Sequence, residues 1–138
     1  MKNKKSLLKR LGLGLTSLIT IPLICIGIQL YQNNYSRPLT DNPEMELANV
    51  RKDLKINKNL KINIDYTSEG SYSSKNIDNS YNILLDFDMG RNEAGLRHEL
   101  CHIKNGDLDK IFHYKLSERA VYFLWAEPRA TICSLGGN

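Results

Sequence analysis

At 138 residues the chain has room for one small domain, and setting aside an N-terminal apolar segment leaves about 100 residues, enough for one modest core in water. The formal charge is +4, but Lys2, Lys4, Lys5, Lys9 and Arg10 supply five of the nineteen basic side chains, leaving fourteen against fifteen acidic ones. The folded part is thus near neutral, with no basic patch for nucleic acid, and three scattered cysteines exclude a disulfide framework.

Residues 1–10 form a basic leader, and Leu11 to Tyr31 is a run of 21 residues without a charge. At about 1.5 Å per residue, such a helix matches the ~30 Å hydrocarbon core of a bilayer. The leader places the N-terminus in the cytoplasm and the rest of the chain on the other side. A cleaved signal peptide has the same general pattern, but no small-x-small site follows the run and Ile24 before Cys25 is too large for lipoprotein processing. The sequence therefore favours an uncleaved single-pass anchor over residues 11–31.

Residues 32–43, polar and with two prolines, read as a linker, and residues 44–138 as the folded domain. Asp41, Asn42 and Pro43 announce a helix to about Lys55, with Glu44 and Glu46 in its first turn. Residues 61–67 alternate Ile62, Ile64 and Tyr66 with polar residues and predict a half-buried strand, while residues 81–88 predict a second, more buried one. The stretch between them is either a long hairpin connection or a short third strand. Gly90 to Asn105 reads as a helix stopped by Asn105-Gly106, a further helix is expected from Leu116 to Trp125, and Pro128 opens a last one ending at Gly136 and Gly137. This order of elements is α+β.

The predicted third helix carries His98-Glu99-Leu100-Cys101-His102, an H-E-x-x-H pattern. Two histidines four apart are about 40° apart around the helix and one turn along it, so both imidazoles reach one tetrahedral ion. Glu99 lies outside that pair, placed to act on a metal-bound water as general base. Leu96, Leu100 and Ile103 form a separate apolar stripe for packing on a sheet.

A catalytic zinc site takes three protein ligands and keeps a position open. Downstream candidates for the third are Asp107, Asp109, His113, Glu118 and Glu127. Asp107 and Asp109 read as solvated charges at the helix exit, and Glu118 as a first-turn carboxylate. His113 sits in an apolar context that equally suits a packed histidine. Glu127 is a lone acid between two apolar segments, costly to bury unless it meets a cation, zinc or Arg129, and is the preferred ligand. Cys101 and Cys133 are expected to be unpaired buried thiols, although pairing in an oxidising compartment stays open.

These residues resemble the gluzincin class of zinc peptidases, where H-E-x-x-H is completed by a glutamate from a later helix. His98 to Gly106 is similar to the motif helix of HtpX-like membrane peptidases, and Glu127-Pro128-Arg129-Ala130 to a variant of their glutamate helix. Size and spacing are similar to the smaller ImmA-like zincins. The resemblance covers about 40 residues. It implies a small zincin-like domain behind the anchor: a helix, a two- or three-stranded sheet, the motif helix and C-terminal helices. It also implies a Zn2+ site of His98, His102 and Glu127, and hydrolysis of a protein or peptide substrate by zinc-activated water with Glu99 as base. Tyr114 or Tyr122 would supply a further donor, and the substrate would add as a strand beside residues 81–88. The alternative is a non-hydrolytic, membrane-anchored module in which zinc only fixes the fold.

Overall fold

The structure is a computed structural model that describes residues 20–88, 91–109, 120 and 122–136. Residues 20–35 are helical (α1) and are followed by α2 (Pro43–Asp53). Three strands come next, β1 (Ile62–Thr67), β2 (Tyr72–Lys75) and β3 (Tyr81–Asp86), then α3 (Glu93–Asn105) and a 3-10 turn (Asp107–Asp109). A π-helical turn (Tyr122–Ala126) runs directly into α4 (Glu127–Ser134). This is the small α+β arrangement expected, with four helices and a three-stranded sheet among the described residues.

The local signals explain the helix boundaries. Asn42 caps α2 by accepting from the Met45 N–H at 3.0 Å, and Pro43 lies in the first turn, where its missing N–H costs nothing. Asn92 does the same for α3, accepting from the Gly95 N–H at 2.8 Å. Gly106 ends α3 in the left-handed conformation, φ 67°, which most side chains resist.

The two strands foreseen in the sequence are not a hairpin. β1 and β3 run parallel, Ile62 opposite Tyr81 and Thr67 opposite Asp86, while β2 is the third strand and pairs antiparallel with β3. The order is β1-β3-β2, so β3 is central. Its alternate residues Tyr81, Ile83 and Leu85 are buried against Leu96, Leu100 and Ile103 of α3 in one core that includes Leu47, Val50 and Leu54 of α2. The apolar stripe of the motif helix therefore packs as its spacing required.

One expectation about the N-terminal region changes, and the other falls partly outside the described residues. Residues 11–19 of the expected anchor lie outside the described residues, and among those described no helix is long and apolar enough to cross a membrane. The stretch expected to be a loose linker belongs to the fold: α1 continues to residue 35, Pro38 forms a bridge with Asn92, and Leu39 is buried. Arg37 grips the buried Glu46 with two hydrogen bonds of 2.8 Å.

That grip has a pH signature. The Arg37 bonds, helped by the Thr40 N–H and opposed by burial, hold the Glu46 carboxyl down at about 2. An unfolded glutamate titrates at about 4.3, so the contribution is complete above that pH and is lost as pH falls through about 2. Urea midpoints measured from neutral pH into acid should therefore fall more steeply for the wild type than for Glu46→Gln, which lacks this titration.

Candidate metal centre

α3 and α4 lie against each other, and their facing sides bring three acceptor side chains together. His98 Nε2 is 3.2 Å from Glu127 Oε2 and 3.2 Å from His102 Nε2, and His102 Nε2 is 3.5 Å from Glu127 Oε1. Both histidines are buried, at 3% and 1% exposure, and the three residues form a group able to hold a metal ion. Helical spacing accounts for the histidine pair. The glutamate arrives because Ala130 and Cys133 bury α4 against α3.

Charge at the site is strongly coupled. Burial alone would push the Glu127 carboxyl up, but its bonds to His102 and His98 outweigh this and hold it at about 2. Burial pushes the His102 imidazole down, and the carboxylates of Glu127, Glu99 and Asp107 together reverse that and raise it. Glu99 is raised above the usual carboxylate range by burial, against the opposing pull of the two histidines. Ser73 Oγ of β2, buried without a fully formed hydrogen bond, favours the charged form of Glu99 weakly. Tyr122 is pushed up by burial and then by Glu127 and Glu99, so it stays a neutral O–H donor, 3.3 Å from His102 Nε2.

A second layer corrects the sequence reading of Asp107. It is not a solvated helix-exit charge: it is 2% exposed and its Oδ2 is 3.2 Å from His102 Nδ1. The left-handed turn at Gly106 folds the chain back beneath the helix and delivers this carboxylate. Arg129 of α4 donates to the Asn105 carbonyl at 3.0 Å and stands 3.7 Å from Asp107, so the cation considered for Glu127 serves Asp107 instead. Asp109 is half exposed and pairs with Lys75, as a solvated charge would. His113, Tyr114 and Glu118 lie outside the described residues.

The expectation of free thiols is overturned. Cys101 and Cys133 form a disulfide across α3 and α4, with Cα atoms 5.9 Å apart. Cys101 points to α4 because it lies about 100° round the helix from His102, a direction that becomes interior only once α4 is in place. Neither the pairing nor the role of Asp107 has a strong sequence signal. The one hint for Asp107 was its place directly after the Asn105-Gly106 stop.

His98, Glu99 and Glu127 line a cleft of about 340 Å³ whose other walls are Gln29 and Asn33 of α1, Gly70, Ser71, Asp86 and Gly95. A larger cleft of about 510 Å³, between α1, the first turn of α3 and the end of α4, contains none of the three acceptors and has no part in this chemistry. Strand addition beside residues 81–88 is excluded, because both edges of β3 are already paired. β2 is the sheet edge that packs against α3.

No protein-family model, curated protein or solved structure matches this chain.

Metal titration of purified protein tests the group. Glu127→Ala should abolish tight binding, and Asp107→Asn should weaken it about 10- to 100-fold, the usual cost of removing the partner that orients a ligand histidine. An undiminished affinity in Glu127→Ala would remove that residue from the ligand set. Cys133→Ser tests the clamp separately. Closing a loop with a sequence separation of 32 contributes about 3–4 kcal/mol in the chain-entropy description, so thermal unfolding should show a loss of that order.

Proposed function

We propose that the chain is a zinc-dependent peptidase of the gluzincin type, with His98, His102 and Glu127 as metal ligands and Glu99 as general base. The observation that carries this reading is the triangle of acceptors with sides of 3.2, 3.2 and 3.5 Å. Ligands on a tetrahedral zinc at about 2.0–2.1 Å are about 3.3–3.4 Å apart, so the triangle has the size of one tetrahedral face. Two buried imidazoles and a half-buried carboxylate this close repel one another unless a cation or shared protons lie among them. Asp107 at His102 Nδ1 supports the same reading, since a carboxylate there fixes the tautomer that leaves Nε2 free to ligate.

Zinc held by these residues would supply Lewis acidity, polarising a substrate carbonyl and making water more acidic. Glu99, raised in basicity by burial and lining the same cleft as His98 and Glu127, takes a proton from water as the water oxygen bonds to the peptide carbon. The C–N bond then breaks, and Glu99 returns the proton to the departing amine. Tyr122, held neutral, donates its O–H to the carbonyl oxygen as negative charge develops there. An extended peptide segment would add along β2, the sheet edge beside α3.

The competing role, metal as a structural staple only, calls for a closed site, commonly of four ligands with thiolates. Cys101 and Cys133 are spent on each other, and the ligand triangle borders a cleft. Both facts favour hydrolysis. We further propose membrane anchorage through residues 11–31 with the folded domain on the extracytoplasmic side, supported by the basic leader, the uncharged run and a disulfide suited to an oxidising compartment.

Glu99→Gln should bind zinc as the wild type does and lose peptide hydrolysis by ~10²- to 10⁴-fold. Zinc content and casein cleavage measured on the same preparations decide this. Equal cleavage by both proteins would remove the peptidase assignment without touching the metal site.

A further inference from the structure

The π-helical turn that carries Tyr122 presents its next three side chains outward. Phe123, Leu124 and Trp125 are 62%, 42% and 60% exposed, and the five residues of the turn include no charge. Three adjacent large apolar side chains in water are unusual when the same chain buries Ile83, Leu85, Leu96 and Leu100 completely.

Their neighbours indicate what covers them. Phe123 shares a narrow cleft of about 150 Å³ with Pro22, Cys25, Ile26 and Gln29 of α1. That part of α1 belongs to the uncharged run ending at Tyr31, and its outward side shows Ile21, Leu23, Ile24 and Ile26, each at least half exposed. Residues 22–26 lie five to nine positions before the end of the run, roughly 8–14 Å along a helix. Apolar faces that rest in a bilayer interface sink about 5–10 Å. If the run spans a membrane, the turn beside it must lie at the depth of the headgroups and upper acyl chains, where tryptophan and other aromatic side chains are preferred.

We propose that Phe123, Leu124 and Trp125 form a lipid-docking lip that sinks into the same leaflet from which α1 emerges. The inference rests on the proposed anchorage and is independent of hydrolysis. It places the cleft walled by Gln29 and Asn33 against the membrane surface, with the metal centre fixed there by two attachments, the helix and the lip. A single helix would let the domain swivel, whereas a second contact beside it sets its orientation.

Trp125 is the only tryptophan in the chain, so intrinsic fluorescence of the full-length protein in phosphatidylcholine and phosphatidylglycerol vesicles reports on the lip alone. The expected result is a blue-shifted emission, strong quenching by lipids brominated on the upper acyl chain and weak quenching by aqueous iodide. Leu124→Asp should shift the emission to the red and raise iodide quenching, with zinc content unchanged. Iodide quenching without bromolipid quenching, in protein that floats with the vesicles, overturns the lip and leaves the anchor standing. Protection from both quenchers means that a second copy or another protein surface covers the lip, which also overturns it. Failure to float overturns lip and anchorage together, and none of these three results bears on whether Glu99→Gln loses hydrolysis.

Discussion

Holding His98, His102 and Glu127 within 3.5 Å of one another, mostly out of water, is the demand around which the rest of the molecule is organised. Unless a cation or shared protons lie among them, lone pairs at that separation repel, so the three need a restraint. Several contacts between α3 and α4 supply the restraint. The Cys101–Cys133 bond ties the helices one residue from His102, Arg129 holds the C-terminal end of α3 through the Asn105 carbonyl, and Ala130 allows a close approach between them. Glu127 and Arg129 sit two positions apart on α4 and divide the work: one reaches the histidines, and the other steadies the Asp107 carboxylate that fixes a histidine from behind.

The sheet and α1 complete the setting on the other side of the motif helix. Leu96 and Leu100 lock α3 onto β3, which fixes the rotation of the helix and so the direction of Glu99. Central placement of β3 leaves β2 as the edge beside α3, and Ser73 on β2 is near enough to influence the charge of Glu99. α1 then closes the cleft with Gln29 and Asn33. The segment after it is fastened by Arg37, Pro38 and Leu39, so the N-terminal helix is a structural wall of the site and more than a tether.

How much was legible in the sequence depended on the range of the interaction concerned. The placement of the histidine pair and Glu99, the capped start of α2 near Asn42, the Gly106 stop and the apolar stripe of α3 are set by helical periodicity and backbone preference over a few residues. These were readable from one chain. Glu127 stands out by a cost argument, that an isolated acid in apolar company needs a cation, and the structure places it with the histidines.

What the sequence could not determine depends on contacts between segments far apart in the chain, or on the direction in which one turn sends it. Parallel pairing of β1 and β3 leaves the same alternation in each strand as a hairpin would, so periodicity cannot distinguish the two. The partners of Cys101 and Asp107 follow from the packing of α4 and from one left-handed turn, which bring together residues 32 and 5 positions apart. By itself the sequence determined the chemistry available on one helix. Only the tertiary structure decided which distant side chains meet it, because a free acid, a free thiol and a solvated aspartate look the same until another helix covers them.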